Sequence, residues 1–476
     1  MDFSKATTRL KETLGLSVFT DRETCFHFSF DGSKLSFLPE AVIQPADEAE
    51  VGALLQLANE YRVPVTTRGA GSSLTGSASP VRGGWVLDLT HWKKMRVDPL
   101  TGMAYVQCGV LTGDVQREAE RLGWFYPPDP SSRNFSTIGG NIACNAGGLR
   151  CVKYGVTRDY ILALKGFLPT GEAVSWSRDL RKYAAGYNVR DLWVGSEGTL
   201  GVITEAVLRL APKPETRWTF LASFTDETEA LQAVKSLLGQ RLVPSILEFL
   251  DRESVSCAES ATGRAIFAGQ QGKPVLLVEL DGHPAAVAGD RERVLEWGKR
   301  LSSAWREAAT PAEAEELWEV RRKCSGAMFE LGDSKLNEDI VVPLEKQVEL
   351  LLFLRELISE THLSIATFGH AGDGNFHVNI MFNRDDAEQA EKAREAVYKV
   401  MEKVLSLGGT ISGEHGIGLA KTPFFPMEHS EAEIRAMRAI KDALDPNGIL
   451  NPGKIFDVFE VWKERPVKVR LPWDHR

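Results

Sequence analysis

Residues 136–148, STIGGNIACNAGG, decide the fold of this 476-residue chain. Four glycines and two asparagines fall within ten residues of this segment. Such a segment makes a poor core strand, because it buries little apolar surface and its glycines carry a high backbone entropy cost. Backbone of this kind is tolerated where it must lie against a flat or charged ligand. PPDPSS at 127–132 and KYG at 153–155 flank the segment, and we interpret the region as a ligand-binding loop.

Two further glycine-rich loops lie on either side of this segment, RGAGSSLTG at 68–76 and GSEGTLGVI at 195–203. Loop 68–76 is not a dinucleotide fingerprint, because Leu74 stands where the third glycine is required. It is not a Walker A loop either, because Ser77 follows where lysine is required. The loop can still present successive backbone N–H groups to an anion. Taken alone, it is interpreted equally well as a tight turn without a ligand.

Secondary-structure signals before loop 68–76 indicate a mixed domain. Residues 41–44 and 64–67 have the composition of short strands. Asp47 begins a helix between them, because Glu50 stands three residues later in the arrangement of a capping box. A strand, a helix, a strand and a glycine-rich loop open an α+β or α/β domain.

In this order and spacing, the three glycine-rich regions resemble the FAD-binding half of the vanillyl-alcohol-oxidase/p-cresol-methylhydroxylase flavoprotein superfamily. The resemblance implies that 69–76 binds the FAD pyrophosphate, while 136–148 and 195–203 line the flavin and the rest of the dinucleotide. Members that tether FAD through the first loop use a histidine where this chain has Ser72, so we expect non-covalent FAD. The resemblance implies FAD contacts from Arg68, Gly69, Ala70, Gly71, Ser72, Ser73, Thr75, Gly76, Pro128, Asp129, Ser132, Thr137, Gly139, Gly140, Asn141, Asn145, Gly147, Gly148, Tyr154, Glu197, Gly198, Gly201, Ile203 and Asn451.

The glycine-rich character stops near Pro214, and strand-like runs then alternate with long amphipathic helices. Thr310 begins one of these helices, with Pro311 and Glu313 in the positions typical of a helix start. LDPNGILNPGKIF at 444–456 resembles the superfamily's return to the FAD domain. We therefore expect an α+β fold, a two-part FAD-binding domain with an inserted α+β substrate, or cap, domain. The expected segments are 1–214 for the first part of the FAD domain, 215–422 for the substrate domain with a metal site, and 423–476 for the return.

Three of the nine histidines, His370, His377 and His415, fall within 46 residues and lie in glycine-rich stretches. The apolar residues at 376, 378 and 380 alternate with His377 and Asn379, which predicts a half-buried strand with both polar residues on one face. Glu414 adjoins His415. Two histidines and a glutamate suit Zn²⁺ first, with Mn²⁺ or Fe²⁺ as alternatives, and leave positions for a substrate oxygen. A structural buried histidine is the alternative for any one of them.

FGHAGDGNFHVNI at 368–380 and SGEHGIG at 412–418 resemble the cap-domain motifs of the metal-dependent D-2-hydroxyacid dehydrogenases. This group includes glycolate oxidase flavoprotein subunits, D-lactate dehydrogenases and D-2-hydroxyglutarate dehydrogenase. The resemblance implies that His370, His377 and Glu414 are metal ligands, that His415 is the catalytic base, and that Asn379 is a neighbouring contact to the substrate.

The helix that begins at Thr310 carries the candidate for binding the substrate carboxylate. Arg321 and Ser325 lie one turn apart on a shared face, and arginine can donate two N–H bonds to a carboxylate. A solvated helix face is the alternative, and the match of Trp318-x-x-Arg321 to the group favours substrate binding. Lys335 is the further substrate-binding candidate, as in the 2-hydroxyglutarate members. Its spacing to the next motif differs by two residues, so a second substrate carboxylate stays an alternative.

The resemblance implies FAD-dependent oxidation of a small D-2-hydroxy acid, glycolate or D-lactate, to the 2-oxo acid. A metal would acidify the substrate hydroxyl, His415 would take its proton, and the C2 hydride would pass to flavin N5. D-2-hydroxyglutarate is the alternative substrate, and a flavin-holding subunit without its own chemistry is the alternative role. The chain has no haem CxxCH or iron–sulfur motif. The resemblance therefore implies an external electron acceptor: an iron–sulfur subunit, an electron-transfer flavoprotein or a quinone.

Composition restricts the partners and the location. A net charge of −9 argues against nucleic acid as a partner, because phosphate binding requires a basic surface. No apolar run approaches the ~20 residues of a transmembrane helix, and residues 1–15 lack a signal-peptide core. Six cysteines form no CxxC pair, which fits a reducing compartment. We expect a cytoplasmic protein, or one peripheral at the inner membrane through a partner, with a homodimer left open.

Overall fold

In the described residues up to Lys213, the chain forms three sheets, one of them a single pair of strands. The computed structural model describes residues 3–267, 271–469 and 471. In chain order the elements of this part are α1 (Ser4–Leu14), β1 (Val18–Phe19), α2 (Arg22–His27), β2 (Ala41–Ile43), α3 (Glu48–Tyr61), β3 (Val65–Arg68), β4 (Trp85–Asp88), β5 (Met95–Asp98), β6 (Met103–Gln107), α4 (Thr112–Arg121), β7 (Trp124–Phe125), α5 (Ile138–Cys144), α6 (Cys151–Tyr154), β8 (Ile161–Phe167), β9 (Ala173–Ser177), α7 (Val189–Trp193), β10 (Val202–Arg209) and β11 (Ala211–Pro212).

The first sheet has the strand order β1-β2-β4-β3, and its strands β2, β4 and β3 run parallel. Helix α3 connects β2 to β3 and begins as predicted, because the Asp47 side chain accepts a hydrogen bond from the Glu50 N–H at 3.0 Å. Its residues Leu54 and Leu55 are completely buried against this sheet. Each such leucine contributes about 1.5–3 kcal/mol to the free energy of unfolding. Loop 68–76 therefore starts from the end of a well-packed parallel strand.

The second sheet is antiparallel, with the order β5-β6-β10-β8-β9, and β11 pairs separately with β7. Segment 136–148 is not one of its strands, which confirms that the segment is unsuited to a sheet. Part of it forms the short helix α5, whose N-cap Thr137 accepts a hydrogen bond from the Gly140 N–H. Asn145 ends this helix in the left-handed conformation, with φ of 52°. The segment is thus a capped helical turn within a glycine-rich loop.

A seven-stranded sheet organises the chain from Thr216 onward. Its elements and those that follow are β12 (Thr216–Ser223), α8 (Glu227–Gly239), β13 (Ile246–Leu250), α9 (Arg252–Thr262), β14 (Val275–Gly282), α10 (Pro284–Leu301), β15 (Ala304–Glu307), α11 (Pro311–Ala327), β16 (Ser334–Val341), α12 (Gln347–Thr361), β17 (Ser364–His370), β18 (Asn375–Phe382), α13 (Ala387–Ser406), α14 (Phe425–Glu428) and α15 (Glu431–Leu444).

This sheet has the order β15-β12-β14-β13-β17-β18-β16, and every neighbouring pair is antiparallel. Helices α9 and α11 pack on one face through an apolar cluster that includes Trp318, Leu250 and Phe368. Helix α11 begins as predicted, because Thr310 accepts a hydrogen bond from the Glu313 N–H at 3.2 Å. The face that α9 and α11 partly cover also carries the predicted histidines, as described below.

The C-terminal segment returns to the first sheet. The Val65 N–H donates to the Ile449 carbonyl at 2.7 Å, and the Asn451 N–H donates to the Val65 carbonyl at 2.9 Å. Ile449 and Leu450 are buried in the same apolar cluster as α3. This pairing brings Asn451 beside the strand that precedes loop 68–76.

The chain folds into two compact units. The first unit runs to Gly147 and also comprises Val156–Lys213 and Glu414–Leu471. The second unit comprises Gly148–Gly155 and Pro214–Gly413. All six cysteines are free thiols. Among the helices that the structure describes, none combines the length and the apolar character needed to cross a membrane.

Candidate functional site

Hydrogen bonds bring the three glycine-rich regions together within the first unit. The Gly195 N–H donates to the Ile142 carbonyl at 2.9 Å, and the Glu197 N–H donates to the Ala143 carbonyl at 2.8 Å, so loop 195–203 is fixed to α5. A Cβ added at Gly69 would lie 2.3 Å from the Thr137 Oγ1. Loop 68–76 therefore packs against the start of the same helix so closely that only glycine fits.

Loop 68–76 offers backbone donors without protein acceptors. From Ala70 to Leu74, no backbone N–H donates a hydrogen bond to any residue that the structure describes. Gly71 has φ of +67°, a conformation that turns the peptide groups around it and that other residues rarely adopt. A row of such donors binds oxyanions. The loop fits the pyrophosphate of the FAD that the sequence resemblance implies.

Two buried polar residues lie under these loops: Asn451, which was among the predicted FAD contacts, and Lys454, which was not. The Asn451 Nδ2 donates to the Ser77 carbonyl at 2.8 Å and to the Glu197 carbonyl at 2.7 Å, so it connects the first loop to the third. The Lys454 Nζ donates to the Ser79 carbonyl at 2.7 Å and to the Asn451 Oδ1 at 3.2 Å. Burial lowers the pKa of Lys454 to about 8. Lys454 directly follows the sequence Asn-Pro-Gly at 451–453, and this position next to a predicted FAD contact is the signal that could have indicated it.

Glu197 fastens the loop that follows His415. Its carboxylate accepts the Ile417 N–H at 2.7 Å and the Gly418 N–H at 2.8 Å. Burial raises the pKa of Glu197, and these two backbone donors act against that shift. The Thr75 hydroxyl also donates to the His415 carbonyl at 3.3 Å. The predicted base therefore lies on a loop that is bonded to two of the glycine-rich regions.

Several predicted FAD contacts have protein partners. Asp129 accepts from Arg133 at 2.9 Å, Asn145 accepts from the Arg158 N–H at 2.9 Å, and Asn141 donates to Thr112 at 2.6 Å. These bonds shape the loops around α5. Two predicted FAD contacts belong to the second unit and not to the first. They are Gly148 and Tyr154, and the Tyr154 hydroxyl donates to Asp281 of the same unit.

In the second unit, polar side chains occupy one face of the seven-stranded sheet. His377 lies directly opposite Phe368 on one side and Asp339 on the other, and His370 lies opposite Glu248. Opposite residues of antiparallel strands share a face, so the turn between β17 and β18 brings His370 beside His377. The centroids of the two rings are 5.4 Å apart. We call this set the polar face: Glu248, Asn337, Asp339, His370, His377 and Asn379.

Glu248 connects the histidine pair to the predicted carboxylate-binding arginine. One carboxylate oxygen, Oε1, contacts the His370 Nδ1, and the other, Oε2, accepts from the Arg321 Nε at 2.5 Å. The Arg321 guanidinium lies over the Phe368 ring, 4.4 Å from its centroid. Burial would raise the pKa of Glu248, but the charges of His370 and Arg321 hold it below its usual value. Sequence analysis missed Glu248.

Helix α11 also brings Ser325 and Lys335 together. The Lys335 Nζ donates to the Ser325 carbonyl at 2.9 Å and to its hydroxyl at 2.8 Å. Burial lowers the pKa of Lys335 to about 8. Arg321 and Ser325 therefore share a face that is directed at the sheet, as their spacing predicted. The alternative, a solvated helix face, applies to Arg322, which forms an ion pair with Glu315 at the surface.

Asp339 contacts His377 and also binds the backbone of Gly413, the residue that precedes Glu414. Its Oδ1 lies 3.9 Å from the His377 Nδ1, and its Oδ2 accepts from the Gly413 N–H at 3.0 Å. Glu414 and His415 follow Gly413 directly, and successive Cα atoms are 3.8 Å apart. Both residues are half-buried. Asn379 is completely buried, and its amide is bonded to Asn337 and to the Ala366 and His377 carbonyls.

The donor set of the polar face fits a first-row divalent metal. His370 and His377 are buried, adjacent and nearly perpendicular. The Nδ1 of His370 contacts the Glu248 carboxylate, and in the carboxylate–histidine arrangement common at metal sites the metal binds the other ring nitrogen, Nε2. Imidazole nitrogens are ligands that Zn²⁺, Mn²⁺ and Fe²⁺ accept.

Family models match the chain in two parts. A model described as FAD binding domain matches residues 39–177, and a model described as FAD linked oxidases, C-terminal domain, matches residues 213–455. The first match contains loop 68–76 and segment 136–148. The second match contains the polar face together with Glu414 and His415.

Relatives of known name match nearly the whole chain. The glycolate oxidase subunit GlcD of Bacillus subtilis is 40% identical over 432 residues, which cover 90% of this chain and 92% of that protein. A D-lactate dehydrogenase of Anaerostipes hadrus is 38% identical over 434 residues, which cover 88% of this chain and 89% of that protein.

A solved structure confirms the predicted fold. The structure of p-cresol methylhydroxylase with substrate bound has a TM-score of 0.77 and 16% identity, and the match covers 96% of this chain and 97% of that one. At this identity the likeness shows the fold alone. The α+β fold of the vanillyl-alcohol-oxidase/p-cresol-methylhydroxylase type, expected from the glycine-rich loops, is the fold of this chain.

Proposed function

Because the chain belongs to the FAD-linked oxidase family, we propose that it oxidises a small D-2-hydroxy acid, glycolate or D-lactate, to the 2-oxo acid. A 2-hydroxy acid carries a carboxylate and a hydroxyl on adjacent carbons. The observation that carries the proposal is Arg321 beside two buried histidines on the polar face, with Glu248 between them. The names of the two relatives support the same substrate class.

Arg321 would bind the substrate carboxylate. Within the described part of the chain its hydrogen bond is made through Nε, so both terminal Nη groups are available for a carboxylate. The side chain is held at one end by Glu248 and along its plane by Phe368. An arginine fixed in this way loses little further conformational entropy when it binds an anion. It would orient the acid rather than only attract it.

His370, His377 and Glu414 would hold a divalent metal, Zn²⁺ first, with Mn²⁺ or Fe²⁺ as alternatives. When bound, such a metal lowers the pKa of a coordinated hydroxyl. His370 would use Nε2, since its Nδ1 contacts Glu248. The burial of both histidines keeps bulk water away from the two rings.

His415 would take the hydroxyl proton on a ring nitrogen. Imidazole is suited to this role because it exchanges protons near neutral pH. The loop of His415 is bonded to Glu197 through the N–H groups of residues 417 and 418, which limits its movement. A fixed base loses less orientation entropy in the reaction than a mobile one.

Loop 68–76, segment 136–148 and loop 195–203 would bind FAD non-covalently. When bound, FAD supplies the acceptor for the hydride from C2. The N–H groups of 70–74, which donate to no residue in the described part of the chain, would bind its pyrophosphate. The electrons would then pass to an external acceptor, an iron–sulfur subunit, an electron-transfer flavoprotein or a quinone, because the chain carries no haem or iron–sulfur motif.

Turnover with an artificial dye acceptor tests the substrate class. The purified holoprotein is assayed with glycolate, D-lactate, L-lactate and D-2-hydroxyglutarate, with and without a chelator. We expect glycolate or D-lactate to give the highest kcat/KM, L-lactate to be poor, and chelation to abolish turnover. Equal turnover before and after removal of all metal would contradict the metal part of the proposal. A flavin-loaded protein that oxidises none of the acids would instead be a flavin-holding subunit.

One contact favours D-2-hydroxyglutarate as a second candidate substrate. The half-buried Lys335 donates two hydrogen bonds to Ser325 through Nζ, and an ammonium group has three donors. The third donor is suited to a second carboxylate. A kcat/KM for D-2-hydroxyglutarate above those for glycolate and D-lactate, lost in Lys335→Met, would select this candidate.

A further inference from the structure

One buried carboxylate contacts two of the side chains to which the proposed function assigns a role. Glu248 lies in β13 and is 0% exposed. Its Oε1 contacts the His370 Nδ1, and its Oε2 accepts from the Arg321 Nε. A charged residue in the middle of the apolar strand Ile246–Leu250 costs several kcal/mol unless it is fully paired. These two contacts are the pairing that makes the position tolerable.

The chemistry of the two neighbours fixes the direction of both hydrogen bonds. Arginine does not lose its proton in proteins, so Arg321 donates to Glu248. A glutamate that is ion-paired with arginine is a carboxylate, which can only accept. His370 must therefore carry a hydrogen on Nδ1, and in the neutral ring Nε2 then holds the lone pair that a metal requires.

From this geometry, and resting on the proposed function, we propose that Glu248 is a positioning residue for both halves of the substrate site. Through Oε1 it holds His370 in the tautomer that binds metal. Through Oε2 it holds Arg321 over Phe368, with its terminal nitrogens available for the substrate carboxylate. Loss of this one carboxylate would therefore weaken both metal binding and carboxylate binding.

Glutamine at this position separates the proposal from a packing role. A glutamine has nearly the shape of glutamate but presents one oxygen and one NH₂ group. If its oxygen accepts from Arg321, its NH₂ group faces the His370 Nδ1 and favours the tautomer with hydrogen on Nε2, which cannot bind metal through Nε2. If its oxygen accepts from His370, its NH₂ group faces the Arg321 Nε–H. In either orientation, His370 or Arg321 can no longer donate the hydrogen bond that it donates to the carboxylate.

The test compares Glu248→Gln with Glu227→Gln in the full-length holoprotein. Glu227 is also a buried glutamate of the second unit, and it bridges Arg355 and Arg252 without contacting the polar face. Zn²⁺ affinity is measured by competition with a chromophoric chelator, and metal content by mass spectrometry. KM and kcat for D-lactate are measured at saturating Zn²⁺, and the flavin spectrum and thermal midpoint report folding.

For Glu248→Gln we expect Zn²⁺ affinity to fall about 10–100-fold, as for other residues that orient metal-binding histidines. We also expect KM for D-lactate to rise at saturating Zn²⁺, while flavin content stays that of the wild type. Glu227→Gln is expected to keep wild-type Zn²⁺ affinity and KM. Glu248→Asp, which keeps the charge, is expected to recover part of the metal affinity.

Wild-type Zn²⁺ affinity and KM in a folded Glu248→Gln protein would overturn the proposal. The same loss of metal affinity in Glu227→Gln would overturn it too, because the effect would then be a general loss of stability. If Glu248→Gln does not fold, the partial recovery in Glu248→Asp decides the question. The metal measurement does not depend on turnover, so it stays informative if no 2-hydroxy acid proves to be a substrate.

Discussion

The two units present their candidate binding surfaces in different ways. The first unit uses backbone: loop 68–76 carries a run of N–H groups without acceptors among the described residues, and its neighbours approach so closely that added Cβ atoms would collide. The second unit uses side chains that project from regular strands, namely the histidines of β17 and β18 with Glu248 of β13. Backbone donors suit a large anionic cofactor, whereas rigid strands hold a few reactive groups accurately.

A buried glutamate has a different task in each unit. Glu197 accepts two backbone N–H groups and thereby fixes a loop, whereas Glu248 contacts two side chains and thereby orients them. The difference predicts that the first unit is sensitive to added methyl groups, and that the second is sensitive to changes of side-chain chemistry. Four substitutions or conditions test that difference, ordered by the size of the expected effect.

His415→Ala is expected to have the largest effect. Removal of a general base lowers the rate of flavin reduction by about 10²–10⁴-fold. Because His415 accepts a hydrogen bond from Thr75 of loop 68–76 through its backbone carbonyl, which alanine keeps, we expect flavin content to stay that of the wild type. Stopped-flow reduction by D-lactate measures the rate. His429→Ala, in the same C-terminal segment, is the control and should reduce normally; a normal rate in His415→Ala would exclude it as the base.

Gly418→Ala tests the backbone character of the first unit. Gly418 has φ of +54°, and a Cβ there would lie 2.3 Å from the Thr75 carbonyl oxygen. The substitution would displace loop 68–76, and we expect FAD affinity to fall about 10–100-fold, the equivalent of 1–3 kcal/mol of strain. Fluorescence titration of the apoprotein with FAD measures it.

Gly123→Ala is the matched control for that substitution. Gly123 also has positive φ, 78°, but a Cβ there would meet no atom within 4 Å. It should keep wild-type FAD affinity and lose only a little thermal stability. Equal FAD affinities in the two variants would show that close approach between the loops is not what Gly418 provides.

Arg321→Lys tests the side-chain character of the second unit. Lysine keeps the positive charge, but it loses the Nε contact with Glu248 and cannot donate two parallel hydrogen bonds to a carboxylate. Since a hydrogen bond to a charged group is worth about 1.5–3 kcal/mol, we expect KM for D-lactate to rise about 10–100-fold. Arg322→Lys, at the exposed neighbouring position, should leave KM unchanged. Similar KM values in the two variants would show that Arg321 does not bind the substrate carboxylate.

The pH dependence of dicarboxylate use has the smallest expected effect. Burial lowers the pKa of Lys335 to about 8, so its ammonium form is lost as the pH rises through that value. If Lys335 binds a second carboxylate, the ratio of kcat/KM for D-2-hydroxyglutarate to that for D-lactate falls about tenfold between pH 7 and 9. Enzyme ionisations that affect the kcat/KM of both substrates equally cancel in this ratio. Lys335→Met should make the ratio independent of pH, and a constant wild-type ratio would exclude this role.

Local features of the fold could be predicted from the sequence because they depend on neighbouring residues. The caps at Asp47 and Thr310 form as their spacing predicted. The alternation around His377 does produce a strand, but the strand is buried on both faces and not half-buried as predicted. The fold type followed from the glycine-rich loops. The strand order of the seven-stranded sheet could not be predicted, since it depends on pairing between residues far apart in the chain, as between Glu248 and His370.

The residues that sequence analysis missed are buried charges whose partners are distant. Glu248 pairs with residues more than 70 positions away, and Lys454 bonds to the Ser79 carbonyl. A usable signal was nevertheless present. A single glutamate within Ile246–Leu250, a strand that is otherwise apolar, is costly unless it is paired and therefore marks a polar site. Its partners become evident only when the sheet is assembled.

Anaerobic reduction of the bound flavin tests the central claim most directly. The oxidised holoprotein is mixed separately with glycolate, D-lactate, L-lactate and D-2-hydroxyglutarate, and the flavin absorption near about 450 nm is followed. Bleaching by glycolate or D-lactate, with little by L-lactate, is the result that the proposed function predicts. An unchanged flavin spectrum with all four acids, in a protein that holds both FAD and metal, would contradict it.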